Sequence, residues 1–270
     1  MATRELDDDQ LERYARHVIL DEVGEEGQLK LLDAKVLVVG AGGLGSPALM
    51  YLAAAGVGTL GIVDHDVVDM TNLQRQIIHT TDDVGEAKVA SAAERIEDLN
   101  PEIEVVQHRA RFAADNAMGL VEQYDLVVDG SDNFAARYLT NDACYLARKP
   151  LVSAALVRFE GQLSTYKAYQ PLGEGKPNGP CYRCLFPTPP DPNLVPRCDT
   201  VGIFGAVAGV MGTLQAVEVL KEILGLGTGM AGRLLLFDAL DQTFRTIKTN
   251  RDPDCPLCGD APTITTPQAD

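Results

Sequence analysis

The 270-residue chain has no tryptophan, only four histidines, and 23 basic residues against 39 acidic ones. Its formal charge of −16 opposes a phosphate backbone, so a nucleic-acid partner is not expected. None of His17, His65, His79 and His108 stands in metal-ligand spacing or beside a serine nucleophile signature. Each reads as structural, which argues against histidine-based hydrolysis, and no acid/base pair for hydride transfer announces itself. Residues 1–10 carry neither a basic start nor an apolar run, so no export leader is expected and the protein is assigned to the cytoplasm. No charged or Gly/Ser-rich linker divides the chain and no internal repeat is visible, which favours one α/β domain with a substantial core.

Charge is also missing from residues 36–63 and 200–217, each run as long as a bilayer span. Glycines and Pro47 break the first into β-type runs around a helix, the pattern of a buried parallel-sheet unit. The second contains Gln215, two threonines and four glycines and continues into Glu218, Lys221 and Glu222. It reads as a buried core or interface helix, and no membrane partner is expected.

The chain is organised around residues 36–64. A strand (36–39), a turn containing Gly40, Gly42, Gly43 and Gly45, a helix (46–55) and a strand (59–63) ending at Asp64 make a βαβ opening. The glycines let the backbone turn tightly and approach a phosphate at a helix N-terminus, and Asp64, 19 residues past Gly45, is placed for ribose hydroxyls. On this turn alone a nicotinamide or flavin enzyme leads, although the motif does not select the nucleotide. Helices are expected at 7–20, 25–32, 85–99, 115–122, 134–147 and 204–224, and strands at 103–107, 126–128, 151–156, 161–169, 233–237 and 243–249. The fold class is a Rossmann-like doubly wound sheet, parallel in its first half with antiparallel strands in its second. Residues 1–33 form a helical arm, 171–200 a long crossover loop without regular structure, and 261–270 a disordered tail.

Four of the six cysteines form two C-x-x-C pairs, Cys181 with Cys184 and Cys255 with Cys258, 71 residues apart. Such knuckles supply a tetrahedral thiolate set closed on all four positions, which fits a structural Zn²⁺ stapling the crossover loop to the C-terminus. Two redox pairs, or disulfides in an exported protein, are the alternatives. Cys144 reads as a core thiol. Cys198, between Arg197 and Asp199, reads equally as a nucleophile or a bystander.

Taken together, R-Y-A-R-H (13–17), G-A-G-G-L-G (40–45), T-N-L-Q-R-Q (71–76), Lys88 in V-G-E-A-K-V, G-S-D-N (130–133) and the two knuckles resemble one family. It is that of molybdopterin-synthase adenylyltransferase (MoeB) and its thiamine counterpart (ThiF), relatives of the ubiquitin-activating enzymes. The resemblance runs over about residues 7–259 in the family's order. It implies an enzyme that binds ATP with Mg²⁺ and joins AMP to the C-terminal Gly-Gly carboxylate of a small β-grasp, ubiquitin-like sulfur carrier. That carrier is expected to be a molybdopterin-synthase small subunit, or else a ThiS-type protein of thiamine biosynthesis. An oxidoreductase and a noncatalytic zinc scaffold are the readings from other classes.

By the same resemblance Arg75 and Lys88 clamp phosphates, with Thr71, Asn72, Leu73, Gln74 and Gln76 beside them. Asp132 holds Mg²⁺ next to Asn133, the four glycines of the turn approach the nucleotide, and Asp64 takes the ribose. A carboxylate is already ionised near pH 7, so no general base is needed. Arg16 reaches the triphosphate of a neighbouring subunit, which implies a homodimer, while Arg13 makes a local contact. Cys198 falls where the wider family places a thiol for later sulfur transfer. Some members carry an appended rhodanese-like domain; none is expected here, so sulfur would come from an external sulfurtransferase or cysteine desulfurase.

Overall fold

The computed structural model describes residues 5–189 and 202–268. Eight strands form one sheet in the order β3-β2-β1-β4-β5-β6-β7-β8. Strands β1 (Lys35–Val39), β2 (Thr59–Val63), β3 (Glu104–His108), β4 (Leu126–Asp129) and β5 (Leu151–Val157) run parallel; β6 (Glu160–Tyr166), β7 (Arg233–Asp238) and β8 (Thr243–Lys248) continue the sheet antiparallel. The register pairs Val38 with Ile62 on one side and Val128 on the other, so the valine-rich centre is buried on both faces.

The helices are α1 (Asp8–Arg13), α2 (Ala15–Val18), α3 (Gly24–Asp33), α4 (Gly45–Ala55), α5 (Lys88–Leu99), α6 (Ala117–Val121), α7 (Phe134–Leu146), α8 (Tyr182–Leu185) and α9 (Gly205–Leu224). One core layer joins Leu49 and Leu52 of α4, Ile96 of α5 and Met211 of α9 to the sheet; the other joins Val121 of α6 and Leu139 of α7 to Leu37 and Val127. Gly212 lets α9 lie against the start of α4, since any β-carbon there would run into the Leu44 carbonyl. Among the described residues no helix is long and apolar enough to cross a membrane.

Three sequence expectations change. The first helix breaks at Tyr14, whose side chain is buried and whose hydroxyl accepts from Asn100 Nδ2 at 2.9 Å. The crossover loop contains regular structure, namely α8 and a bridge between Pro171 and Asn178, while its residues 190–200, Cys198 included, lie outside the described residues. Within the supposed disordered tail, residues 261–268 are described, and Ile264 anchors them. The N–H groups of Thr263 and Ile264 both donate to the Pro256 carbonyl, at 2.8 and 2.9 Å, and Ile264 is buried against the cysteine knuckles.

Candidate active site

In an open parallel sheet the crevice lies beyond the strand ends where the order reverses, here between β1 and β4. A cavity of about 550 Å³ opens there. Its floor is the glycine turn. Gly40 has φ +92°, and Gly45 has no room for a β-carbon against the Gly40 carbonyl. A β-carbon at Gly43 would sit 3.3 Å from that of Ala208 and 3.4 Å from Arg75 Cγ, so a larger residue would fill the space a ligand needs. No side chain caps the N-terminus of α4; Ser46 N–H donates to the Gly42 carbonyl at 2.8 Å and Pro47 has none, so among the described residues it is the Gly45 N–H that is left for an anion.

Asp64, at the end of β2, holds the turn from beside it: one carboxylate oxygen accepts from Ala41 N–H and the other from Asp66 N–H, both at 2.9 Å. Lys88 opens α5 with its chain 93% buried and its ammonium 3.0 Å from Asp66 Oδ2, at the cavity wall. Desolvating a lysine there is favourable only with an anion near, and the half-exposed Asp66 shares that ammonium with the open cavity. Arg75 reaches the cavity from the turn after a 3₁₀ helix (Met70–Asn72), its Nη1 donating to the Thr71 carbonyl at 3.1 Å. Gln76 is buried, and among the described residues its Oε1 has no hydrogen-bond partner.

The second wall comes from the turn after β4. Asp129 is fully buried and accepts from Ser131 N–H at 3.0 Å, Ser131 Oγ at 2.5 Å and Ser153 Oγ at 2.7 Å, with Arg137 Nε 3.5 Å away. This anchor fixes the turn that exposes Asp132. Asn133 caps α7 through Oδ1, which accepts from Ala136 N–H at 2.9 Å, and its amide donates to Asp132 Oδ1 at 3.2 Å. Among the described residues Asp132 has no cationic partner, so its carboxylate is available to a metal at the cavity edge.

Of the residues singled out in sequence, Gly40, Gly42, Gly43, Asp64, Arg75, Gln76, Lys88, Asp132 and Asn133 line this one cavity. Gly45 supports it from behind. Thr71, Asn72, Leu73 and Gln74 build the turn that carries Arg75 rather than the wall. Arg16 is exposed and does not line it. Sequence reasoning missed Asp66 and the segment from Ala110 to Ala114, including Arg111 and Phe112, which forms the end wall beyond β3. Their signal was their position at strand C-termini.

A separate cluster brings the four paired cysteines together. Sγ separations are 3.9 Å for Cys181 and Cys184, 3.5 Å for Cys181 and Cys255, and 3.3 Å for Cys184 and Cys258. Four thiolates about 2.3 Å from a tetrahedral zinc lie roughly 3.8 Å apart, which fits. Asp252 N–H donates to Cys184 Sγ at 3.3 Å, a contact that disperses thiolate charge.

Comparison with known proteins identifies relatives of the whole described domain. The family model described as "ThiF family" matches residues 14–257. A sulfur carrier protein adenylyltransferase of Thermus thermophilus is 51% identical over 94% of the chain and 93% of its own length. The adenylyltransferase and sulfurtransferase MOCS3 of Anopheles gambiae is 51% identical over 96% of the chain, which spans only 57% of that protein. The SAMP-activating enzyme E1 of Haloferax volcanii is 50% identical over 96% of the chain and 92% of itself. A structure of Escherichia coli MccB with a MccA peptide superposes with a TM-score of 0.77 at 23% identity, covering 92% of this chain and 74% of that one, a likeness of fold.

Proposed function

The chain belongs to the ThiF family, and from that premise we propose that it is an ATP-dependent adenylyltransferase acting on the C-terminal Gly-Gly carboxylate of a small ubiquitin-like sulfur carrier. The observation that carries the reading is the meeting of Lys88, Arg75 and Asp132 around one glycine-floored cavity. A dinucleotide site would need the glycines and Asp64 alone. The reacting carboxylate oxygen forms a bond to the α-phosphorus of ATP, the bond from that phosphorus to the bridging oxygen breaks, and pyrophosphate leaves with the electron pair. Negative charge grows on the leaving phosphates, where Lys88 and Arg75 stabilise it in a partly dry site.

Magnesium would be held by Asp132 and would supply further charge neutralisation. The acyl-adenylate is then the substrate for thiocarboxylate formation by an external sulfur donor, with Cys198 as a candidate for that later transfer. A molybdopterin-synthase small subunit is the preferred carrier and a ThiS-type protein the alternative. Zinc in the four-cysteine site has a structural role, since all four positions are taken by protein sulfur. A cytoplasmic setting goes with this reading.

The arm supports a homodimer with shared sites. Tyr14, Gln28 and Asn100 tie α1–α3 to the C-terminal end of α4, through the Ala53 and Ala55 carbonyls. The glycine turn is at the other end of α4, about 16 Å away for an 11-residue helix. That separation supports the reading in which Arg16 serves a neighbour's triphosphate rather than its own.

The test is ATP–pyrophosphate exchange with the organism's Gly-Gly-ending small proteins, with the adenylate read by mass spectrometry. Exchange that depends on one such carrier is expected. A chain that takes NAD in preference to ATP, or no nucleotide at all, would overturn the reading.

A further inference from the structure

His79 is used by none of the chemistry above, yet it is 95% buried directly behind the glycine turn. Its Nε2 lies 3.0 Å from the Ala41 carbonyl oxygen and its Nδ1 2.7 Å from Ser91 Oγ, which is 2.9 Å from Asp83 Oδ2. A carbonyl only accepts, so the proton on Nε2 is assigned by the partner. Either orientation of the Ser91 hydroxyl leaves that bond in place. Thr80 N–H, 2.6 Å from Asp83 Oδ2, fixes the far end of the chain of contacts.

The peptide joining Ala41 to Gly42 is trans, as are all described peptide bonds, so the Ala41 C=O and the Gly42 N–H point in opposite directions. Drawing the carbonyl inward to His79 turns the Gly42 N–H outward. Gly42 lines the cavity, and among the described residues no acceptor takes its N–H. Ala41 N–H is meanwhile held by Asp64, so the Ala41 residue is gripped at both its N–H and its C=O. Glycine at 42 would otherwise let this peptide rotate freely.

We propose that His79 is a positioning residue for the adenylyl-transfer reaction: it sets the peptide whose Gly42 N–H donates to a phosphate oxygen of the bound nucleotide. The role rests on the ATP reading, and it concerns phosphate rather than base or ribose. Glutamine can place its amide nitrogen where imidazole Nε2 lies, whereas asparagine reaches only the Nδ1 position.

The experiment measures calorimetric affinity for a nonhydrolysable α,β-methylene ATP analogue and for adenosine, on wild type and on His79→Gln, His79→Asn and His79→Leu. Loss of one aligned hydrogen bond to a charged group corresponds to about tenfold weaker analogue binding in His79→Asn and His79→Leu. Adenosine affinity is expected to stay within about twofold, and His79→Gln to recover most of the analogue affinity. Ser91→Ala, which keeps the ring but removes its Nδ1 partner, gives a smaller loss of the same kind, and serves if the histidine variants do not fold. Equal losses for analogue and adenosine, or no recovery with glutamine, would overturn the role. A wild type that binds adenosine and the analogue equally would overturn the role too, while one that binds neither would overturn the nucleotide reading beneath it.

Discussion

The buried ion pair between Asp142 of α7 and Arg183 of α8 offers a sharp quantitative test of what holds the cysteine knuckle to the domain. Arg183 lies between Cys181 and Cys184, and its Nε and Nη2 meet the two Asp142 oxygens at 2.8 Å each. The aspartate side chain has no exposure and the arginine 3%. Asn141 Nδ2 and Gln268 N–H also donate to the carboxylate, and the guanidinium stacks 4.8 Å from the Tyr138 ring centre. Burial pushes the Asp142 carboxyl above its usual range, against the lowering effect of Arg183. The intact pair is thus close to balance, but a buried guanidinium that has lost this bidentate carboxylate is not. Asp142→Ala should lower unfolding free energy by about 3–5 kcal/mol, of which the Tyr138 stacking offsets no more than about 1. Replacing both partners, Asp142→Leu with Arg183→Met, should return to within about 2 kcal/mol of wild type. Urea unfolding of metal-loaded protein at neutral pH measures both. A loss under about 1 kcal/mol for Asp142→Ala, or a double variant as unstable as the single losses added together, would refute the account.

In the cavity, Lys88→Ala and Asp132→Ala should each reduce pyrophosphate exchange about 10²-fold or more with urea midpoints near wild type for Asp132→Ala; near-normal exchange in either would show the wall is wrongly assigned. Purified protein should carry one zinc per chain by metal analysis, and a strong chelator should lower its melting temperature without loss from any fully cysteine-replaced variant. Burial lowers the pKa of both His79 and His108, so below about 6.5 the unfolded chain binds more protons than the folded one. Their contribution is complete above that value and is lost as pH falls through it, so unfolding free energy should decline from pH about 7 to 5.5, less steeply in His79→Gln. Arg16→Ala and Lys88→Ala homodimers should both be nearly inactive while a verified mixed dimer recovers one working site; silence from folded, ATP-binding mixed dimers would refute the shared-site geometry.

Much of the fold was legible because its signals are local. Valine-rich charge-free runs bounded by glycine can only be buried strands, and the glycine turn fixes where the first helix begins. What failed needed tertiary information. Residues 7–20 have unbroken helical periodicity, yet Tyr14 leaves the helix because its ring is drawn beneath Gly56, where a β-carbon would lie 2.7 Å from it. Residues 261–268 look like a tail by composition, but two N–H groups find the Pro256 carbonyl and Ile264 finds the apolar side of the knuckles. Nothing in the stretch A-P-T-I-T-T-P-Q (261–268) announces a partner elsewhere in the chain.

The site divides along the same line. Residues whose chemistry is unusual for their place, such as a lysine at the start of an apolar helix face, could be singled out from sequence, and Lys88 does line the cavity. Residues that act through the backbone or through position could not. Ala110 and Ala113 have no chemistry of their own and enter the wall only because β3 ends beside β2. His79 is the instructive case: its sequence neighbourhood supports a structural reading, and its contacts are indeed with buried atoms. The carbonyl it holds, however, belongs to the peptide that presents Gly42, so a structural contact and a functional one are the same hydrogen bond. Sequence spacing cannot reveal this, because Ala41 and His79 are 38 positions apart with no period that would bring them together. The link exists only once α5 delivers Ser91 to Nδ1 and so turns Nε2 toward the turn.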